Sequence, residues 1–307
     1  MGTPDFAEKS LEAIYNSKHE IIAVVTNPDR PKGRGMKMVA SPVKEFALSK
    51  NLPIYQPEKI RKNEEFINTI KALKPDVICV VAYGKILPKE ILKIPKLGCI
   101  NVHGSLLPQY RGAAPIQWAI INGDKITGVT TMYMDVGMDS GDMILKEKTE
   151  IGVDETTGEL WDRLAEIGAK LLVKTLKQIE AGTAPRIKQG EEFTIAPMLE
   201  KEMSKINWKD KSAKEIKNLV RGLNPIMGTY SFFDGKKIKI WKVEILPEEN
   251  NNAENGTVIK ADAKEGLYIK AKEGIISVLE IQGENAKRMN IKDFLRGNQI
   301  KVGSVFE

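Results

Sequence analysis

Short apolar runs alternate with helix-like segments through the first half of the chain, and this alternation constrains the fold more than any other feature. The apolar runs predict strands, at residues 21–26, 77–82 and 98–103. The accompanying segments predict helices, at residues 6–15, 43–49 and 64–73. Strands that alternate with helices form βαβ units and pair in parallel. We therefore predict an α/β domain with a doubly wound, Rossmann-like and mostly parallel sheet.

The pattern continues with two further strands and one long helix, and then changes. Residues 181–203 carry Gly, Pro and polar residues without periodicity, which indicates a linker. Beyond them a helix precedes several short strands, at residues 228–233, 238–245, 256–261, 267–270 and 275–282. The Asp234-Gly235 pair predicts a hairpin between the first two of these strands.

Short strands with frequent glycine turns are typical of a small barrel, and the number of strands fits the five-stranded OB type. We therefore divide the chain into a first domain at 1–182, a linker at 183–203 and an all-β, OB-like domain at 204–307.

The positive charge of the chain is concentrated toward its carboxyl end. The net charge is +6, and residues 201–307 hold 20 Lys and Arg against 15 Asp and Glu. Between residues 201 and 242 the imbalance is 11 against 4. A near-neutral body with a basic extension favours a polyanionic partner, nucleic acid first. A lysine-rich solvated surface is the alternative interpretation.

Several classes of protein are disfavoured by the composition. No apolar run approaches the length that spans a bilayer, so we expect no membrane partner. The two cysteines, Cys79 and Cys99, lie in apolar strand-like runs, which favours core thiols in a reducing cytoplasm. With two cysteines and two histidines in the chain, we expect no metal site.

Two polar side chains end the predicted strand at 98–103. Asn101 and His103 are two residues apart, so on a strand they share one face. The strand is followed at once by a turn of small residues that closes on Pro108. An amide and an imidazole at the carboxyl end of a buried strand indicate a chemical site rather than a core.

An acidic, glycine-rich loop at residues 135–142 follows the next predicted strand. It contains three aspartates, any of which can supply a carboxylate partner for the imidazole; spacing alone does not identify which. An ordinary polar turn or a divalent-ion loop are the alternatives, although the spacing of the acids matches a calcium loop poorly.

Taken together, these motifs resemble those of the methionyl-tRNA formyltransferase family. The resemblance rests on six segments, in chain order: MGTPDFA at 1–7, NPDRP at 27–31, VAYG at 81–84, NVHGSLLP at 101–108, RGAAPI at 111–116 and DVGMDSGD at 135–142. It implies transfer of a formyl group from 10-formyltetrahydrofolate, the co-substrate, to the amino group of methionine on charged initiator tRNA. By position in the motifs, the catalytic residues of the family fall on Asn101, His103 and Asp139.

The resemblance, the strand ends and the distribution of charge together indicate the residues that bind each substrate. The resemblance implies that Ser105, Leu106, Leu107 and Pro108 line the folate pocket. Tyr83 and Gly84 follow the carboxyl end of another predicted strand, where ligands collect in an open α/β sheet, so we expect them in the same pocket; a plain strand-to-helix loop is the alternative. Those expected to contact tRNA are Arg34 and Lys37 in a long basic loop, with Lys209 and Arg221 in the basic second domain. We further expect a monomer in the cytoplasm and no metal.

Three alternative functions share some of these features. A folate-dependent formyltransferase that acts on a small amine, such as an amino sugar, would use the same Asn-His-Asp chemistry but would not need the basic second domain. A formyltetrahydrofolate hydrolase would release formate. A non-catalytic tRNA-binding relative would need none of the three polar residues.

The beginning of the chain is unusual for a doubly wound sheet. Residues 1–6 predict a turn and the start of a helix, with no strand before them. Because the first strand of such a sheet is usually central, we hypothesise that a strand of about five residues precedes Met1 in the natural protein.

Overall fold

The structure is a computed structural model that describes residues 1–32, 36–247 and 252–307. The described residues form two compact units. The first comprises Met1–Pro115, Ile126–Glu150 and Trp161–Ala196. The second comprises Ile116–Lys125, Ile151–Leu160 and Pro197–Glu307.

The elements up to residue 196 follow the predicted alternation. The helices are α1 (Asp5–Tyr15), α2 (Pro42–Ser49), α3 (Glu64–Leu73), α4 (Lys89–Leu92), α5 (Pro115–Ile121) and α6 (Thr157–Glu180). The strands are β1 (Val24–Val25), β2 (Arg30–Lys32), β3 (Lys37–Val39), β4 (Ile54–Tyr55), β5 (Ile78–Val81), β6 (Cys99–His103), β7 (Arg111–Gly112), β8 (Ile126–Tyr133), β9 (Met143–Glu150) and β10 (Ile195–Ala196).

Parallel strand pairs predominate in the part of the first unit where the sequence predicts alternating strands and helices. β1 pairs with β4 in parallel, and β5 pairs with β6 in parallel. β8 and β9 then extend the sheet in antiparallel pairs, in the order β5-β6-β8-β9. The prediction of an α/β fold with a mostly parallel sheet is confirmed, with β8 and β9 as antiparallel additions.

β6 presents different residues to its two faces because successive side chains on a strand alternate. Val102 is buried and packs toward α6, where a side chain on Gly168 would come within 2.9 Å of a Val102 methyl group. Asn101 and His103 therefore lie on the other face of the strand, at its carboxyl end. Because α6 packs closely against β6, the strand is held in the core. The backbone positions of Asn101 and His103 are fixed with it.

The first residues of the chain lie between β1 and β5. The Gly2 amide donates to the Val25 carbonyl at 3.0 Å, and the Val81 amide donates to the Met1 carbonyl at 2.9 Å. The Met1 ammonium group is buried, which lowers its pKa, and it donates to the Cys79 carbonyl at 2.6 Å. A cavity of about 500 Å³ adjoins this segment, and the described residues that line it include none of the predicted site residues. The hypothesis of a preceding strand stays a prediction.

The second unit contains an antiparallel sheet. Its strands are β11 (Thr229–Phe233), β12 (Lys236–Leu246), β13 (Val258–Asp262), β14 (Gly266–Lys270), β15 (Ile275–Gln282) and β16 (Met289–Asn290). Its later helices are α7 (Ala213–Gly222) and α8 (Ile291–Gly297), with a 3₁₀ helix at Lys201–Ser204. The strand order is β11-β12-β15-β14-β13, with β16 paired to β15. The predicted β domain is therefore confirmed as an antiparallel sheet, and helices α7 and α8 accompany it.

The sheet of the second unit does not close through its own edge strands. Within the described residues, no ladder joins β13 to β11. The carboxyl-terminal residues contact both edges instead: the Val258 amide donates to the Ser304 carbonyl at 2.8 Å, and Phe232 and Glu307 exchange two backbone hydrogen bonds of 2.9 Å. The described strands thus form an open sheet in the order β11-β12-β15-β14-β13, and the carboxyl-terminal residues hydrogen-bond to both of its edge strands. A closed barrel is not confirmed.

Helix α7 begins with a capping box. The Ser212 hydroxyl accepts from the Glu215 amide, and the Glu215 carboxylate accepts from the Ser212 amide at 3.0 Å. Replacing Ser212 by alanine is expected to lower the free energy of unfolding by about 1 kcal/mol, because an amide of the first helical turn loses its acceptor. Urea denaturation measures the change. Ser49→Ala is the control, since its hydroxyl donates within the last turn of α2 rather than capping a helix; equal losses in both variants would contradict the role of the cap.

The same hydrogen bonds make this cap depend on pH. The bond from Lys211 and those from Ser212 hold the pKa of Glu215 at about 2. A carboxyl group whose pKa is lower when folded stabilises the fold above its ordinary pKa and loses that contribution as pH falls. The difference in stability between the wild type and Glu215→Gln is therefore expected to shrink between pH 4.5 and pH 2.

Candidate active site

The carboxyl end of β6 and the loop after β8 bring three polar side chains together. The Asn101 amide nitrogen donates to Asp139 Oδ1 at 3.3 Å. His103 Nδ1 lies 3.7 Å from Asp139 Oδ2. The His103 side chain is 6% exposed and that of Asp139 is 18% exposed, so the carboxylate and the imidazole meet in a largely enclosed place.

Of the three aspartates in this loop, the structure brings only Asp139 to the imidazole within the described residues. Asp135 accepts hydrogen bonds from Ser140 and from the Gly137 amide, so it organises the loop itself. Asp142 lies 3.5 Å from the Arg186 guanidinium. The geometry therefore distinguishes the three acids, which spacing could not.

The second ring nitrogen of His103 fixes the tautomer of the neutral imidazole. His103 Nε2 lies 2.8 Å from the Tyr110 carbonyl oxygen. A carbonyl can only accept, so Nε2 carries a hydrogen and donates it. In the neutral imidazole Nδ1 is then the basic nitrogen, and it is this nitrogen that faces Asp139.

Asp139 itself is held in a restricted backbone conformation. Its φ is +49°, in the left-handed region that residues with a side chain rarely adopt. The Gly112 amide donates to Asp139 Oδ2 at 2.9 Å, and the Gln189 side-chain amide donates to the Asp139 carbonyl at 2.7 Å. Such strain persists only where the surroundings hold it in place.

Four residues around the site were not predicted as site residues from the sequence: Tyr110, Arg111, Gly112 and Gln189. The Tyr110 carbonyl accepts a hydrogen bond from His103, and the Gly112 amide donates one to Asp139. Arg111 and Gly112 lie in the segment at 111–116, one of the six that carry the family resemblance, so the sequence held a signal for these two residues. Gln189 lies inside the predicted linker, and nothing in its local sequence indicates that it reaches a loop fifty residues earlier.

The predicted folate segment at 105–108 forms a tightly bonded turn. Ser105 Oγ donates to the Gln109 carbonyl at 2.6 Å, and Thr130 Oγ1 donates to the Ser105 carbonyl at 2.7 Å. Leu107 is fully buried beside Met132 and Met143, and its carbonyl accepts a hydrogen bond from the Lys146 ammonium group. Leu106 and Pro108 are half-buried, so they are the apolar side chains of this turn that reach the surface.

The other predicted folate residues, Tyr83 and Gly84, follow the end of β5. The Tyr83 side chain is only 2% exposed and belongs to the core of the first unit, and burial raises its pKa to about 12. Its carbonyl accepts from the Asn27 side chain at 3.0 Å. The Tyr83 side chain therefore packs in the core and Gly84 is exposed at the strand end, and the place of both residues in a folate pocket stays a prediction.

The residues expected to contact tRNA differ in their surroundings. Arg34 lies outside the described residues. Lys37, on β3, and Lys209 are exposed. Arg221 is buried, and its guanidinium donates to the Asn218 side chain and to the carbonyls of Gly152 and Glu155. These hydrogen bonds hold Arg221 inside the second unit, and its contact with tRNA stays a prediction.

Two absences among the described residues bear on other classes of site. No group of three or more His, Cys, Asp and Glu side chains lies close enough to hold a metal ion. None of the described helices combines the length and the apolar character that crossing a bilayer requires. Cys79 and Cys99 are free thiols, and burial raises the pKa of both, to about 11 and about 12.

Solved structures share this fold at low sequence identity. The N-formyltransferase from Helicobacter canadensis, in complex with folinic acid and dTDP-3-aminofucose, superposes with a TM-score of 0.66 and 21% identity, over 90% of this chain and 97% of that one. HypX from Aquifex aeolicus, in complex with tetrahydrofolic acid, gives a TM-score of 0.60 and 18% identity, over 84% of this chain and 47% of that one. At these identities the likeness shows the fold alone.

Sequence comparison covers almost the whole chain. The formyl transferase family model matches residues 1–176, and the formyl transferase C-terminal domain model matches residues 198–299. A methionyl-tRNA formyltransferase from Acetivibrio thermocellus is 51% identical, over 99% of this chain and 97% of that protein. One from Clostridioides difficile is 52% identical, over 99% of this chain and 98% of that protein. With half of its residues shared over its full length, the chain belongs to the methionyl-tRNA formyltransferase family.

Proposed function

We propose that this protein transfers the formyl group of 10-formyltetrahydrofolate to the amino group of methionine on initiator tRNA, for translation initiation. The observation that carries the proposal is the meeting of Asn101, His103 and Asp139 at the end of β6, in a chain half identical to methionyl-tRNA formyltransferases. We propose these three as the catalytic residues. When bound, the folate supplies a formyl carbon attached to a nitrogen that leaves readily.

Asn101 stabilises the charge that develops during transfer. Attack of an amine on a formyl carbon gives a tetrahedral intermediate with negative charge on oxygen. A side-chain amide has two N–H donors, so Asn101 can donate to Asp139 and to this oxygen together. A preorganised donor of this kind stabilises the transition state by about 3–4 kcal/mol.

His103 accepts the proton that the attacking amine loses. Its Nε2 is committed to the Tyr110 carbonyl, which leaves Nδ1 as the base. Asp139, 3.7 Å from that nitrogen, stabilises the imidazolium that results. It also orients the ring, since the carboxylate is itself fixed by the Gly112 amide. As the intermediate collapses, the bond between the formyl carbon and the folate nitrogen breaks, and the imidazolium gives its proton to that leaving nitrogen.

We propose that the folate lies against the turn at 105–108 and the exposed end of β5. The ends of parallel strands are where ligands collect in open α/β sheets. Leu106, Pro108 and Gly84 are the accessible residues there, whereas Ser105 and Leu107 shape the turn through their backbone and buried side chains. This fits a flat, partly apolar ring system that also needs backbone hydrogen bonds.

For the second unit we propose an OB-like domain that binds tRNA. The open strand order β11-β12-β15-β14-β13, with a tail bonded to both edges, is compatible with a partly open OB barrel. One face of β11 and β12 combines aromatic rings with cations. Lys237 Nζ lies 3.6 Å from the centre of the Tyr230 ring, and Lys205 Nζ lies 5.4 Å from that of Phe232. Rings beside lysines are the usual platform for nucleic-acid bases and phosphates.

Lysines that contact phosphate are expected to control the salt dependence of tRNA binding. Replacing Lys37 or Lys209 by alanine should weaken binding of initiator tRNA and reduce the slope of log K against log salt by about 0.9 for each lost phosphate contact. Titration at several salt concentrations measures the slope. Lys96→Ala is the control, because this exposed lysine pairs with Asp76 at the opposite end of β6. An unchanged slope in both variants would remove these lysines from the interface.

The test of the acceptor is a competition. Equal concentrations of methionyl initiator tRNA and an amino-sugar nucleotide are offered with 10-formyltetrahydrofolate, and mass spectrometry identifies which amine gains the formyl group. We expect the methionine amine to be formylated. Formylation of the sugar amine would instead support an enzyme for small amines, and binding of tRNA without transfer would support a non-catalytic relative.

Two further properties belong to this proposal. We propose that the protein acts as a monomer and in the cytoplasm, where free thiols such as Cys79 and Cys99 are typical. Sedimentation equilibrium with and without tRNA measures the mass of the free protein, and a dimer would contradict the first of these.

A further inference from the structure

We propose that Gln189 is a positioning residue for Asp139, and that residues 187–196 form part of the catalytic site rather than a passive linker. These residues lie outside both matched family models, which end at residue 176 and begin again at residue 198. The proposal rests on the proposed function of Asn101, His103 and Asp139. We call residues 187–196 the strap.

The strap is attached to the first unit at both of its ends. At its start, Ile187 and Met143 exchange two backbone hydrogen bonds of 2.8 and 2.9 Å. At its end, β10 pairs in parallel with β7. Gly112 of β7 has a φ of +119°, and a side chain there would come within 2.7 Å of the Ala196 carbonyl oxygen. The strap therefore lies in one defined path across the site.

Between these ends the strap forms hydrogen bonds with the loop that carries Asp139 and with strand β7. Gln189 Nε2 donates to the carbonyls of Asp139 and Gly141, at 2.7 and 2.9 Å. Gln189 Oε1 accepts from Arg111 Nε at 2.9 Å. One side-chain amide thus joins the loop that carries Asp139 to the strand that carries Gly112.

The partner of His103 is held by the same segment. The Tyr110 amide donates to Thr194 Oγ1 at 2.8 Å, and the Arg111 amide donates to the Thr194 carbonyl at 2.9 Å. The Arg111 guanidinium also lies 4.3 Å from the centre of the Phe193 ring. The Tyr110 carbonyl, which sets the tautomer of His103, is consequently placed by the strap.

The backbone of Asp139 shows why Gln189 matters most. Asn101 and Gly112 donate to the Asp139 carboxylate, whereas Gln189 donates to the backbone carbonyls of Asp139 and Gly141. With φ at +49°, Asp139 relaxes once these bonds are removed. A shift of the carboxylate away from Nδ1 reduces turnover without removing any group that touches substrate.

The experiment compares Gln189→Ala and Gln189→Glu with Lys96→Ala, an exposed lysine outside the strap that pairs with Asp76. Gln189→Glu keeps the acceptor for Arg111 and loses both donors to the acidic loop, so it tests the proposal even if the alanine variant folds poorly. We expect both Gln189 variants to lower kcat by about 10–100-fold with little change in the KM of either substrate. Lys96→Ala should leave both constants unchanged.

A double-mutant cycle separates positioning from general support. If Gln189 acts through Asp139, then Gln189→Ala should change kcat by less than about threefold in an Asp139→Ala background. A full further loss of kcat in that background would overturn the proposal, as would an unchanged kcat in the Gln189 variants.

NMR of the histidine ring nitrogens tests the positioning role of Gln189 without depending on which amine accepts the formyl group. The chain has two histidines, so the ring nitrogens of His103 are identified by comparison with His19. We expect Gln189→Ala to move the Nδ1 resonance of His103 toward its position in Asp139→Asn, with the His19 signals unchanged. If the protein formylates a different amine, this shift still appears. If His103 does not respond, the positioning role is wrong, whatever the acceptor.

Discussion

Replacing His103 by alanine is expected to lower the turnover number for formyl transfer by about 10²–10⁴-fold, the range that general acid–base catalysis contributes. The reason lies in the two ring nitrogens. Nε2 is held by the Tyr110 carbonyl at 2.8 Å, and Nδ1 is the base that removes the proton from the attacking amine. Steady-state kinetics with charged initiator tRNA measures the loss. The affinity for tRNA should be nearly unchanged, since a 6% exposed imidazole offers little surface to a large ligand.

The other histidine of the chain provides the matched control. His19 lies between α1 and β1, in a part of the first unit that contains none of Asn101, His103 and Asp139. His19→Ala is expected to keep full turnover. Unchanged turnover in His103→Ala would refute the role of the imidazole, and a weaker tRNA affinity in that variant would indicate that His103 binds substrate instead.

Replacing Asn101 by alanine is expected to lower kcat by about 10²–10³-fold, the usual loss when one donor to an oxyanion is removed. Asn101→Asp should be at least as harmful, because it removes the donor and places a second carboxylate beside Asp139 Oδ1, now 3.3 Å from the amide nitrogen. Rapid-quench measurement of a single turnover isolates the chemical step.

A second asparagine distinguishes loss of catalysis from loss of stability. Asn63 caps α3 by accepting from the Phe66 amide at 3.0 Å. Asn63→Ala is expected to destabilise the protein by about 1 kcal/mol and to leave kcat unchanged. If Asn101→Ala lowered the stability but not the rate, the oxyanion role would be wrong.

Much of the fold could be predicted because local sequence and tertiary structure agree. β15 lies at residues 275–282 and α3 at residues 64–73, as the patterns indicated. The Asp234-Gly235 pair adopts positive φ at both residues, +48° and +70°, which is the geometry a two-residue hairpin turn requires. The antiparallel direction of β8 and β9 was not predictable, since an apolar run carries no information about the direction of its partner.

The candidate site was predictable only in part, for a similar reason. Asn101 and His103 could be identified because alternation on one strand places them on one face. The choice of Asp139 came from the family resemblance, because a turn at φ +49° brings it to the imidazole and spacing does not encode that turn. The roles of Tyr110, Gly112 and Gln189 depend on backbone groups and on contacts distant in sequence. Charge alone suggested a phosphate contact for Arg221, and its burial against backbone carbonyls could not be predicted from local sequence.

The most direct test of the central claim follows the formyl carbon in a single turnover. The protein is mixed with methionyl initiator tRNA and 10-formyltetrahydrofolate that carries ¹³C in the formyl group, and mass spectrometry analyses the amino acid released from the tRNA. We expect labelled formylmethionine, formed at a rate that depends on His103 and not on His19. Label recovered as free formate, or retained on the folate, would contradict the account.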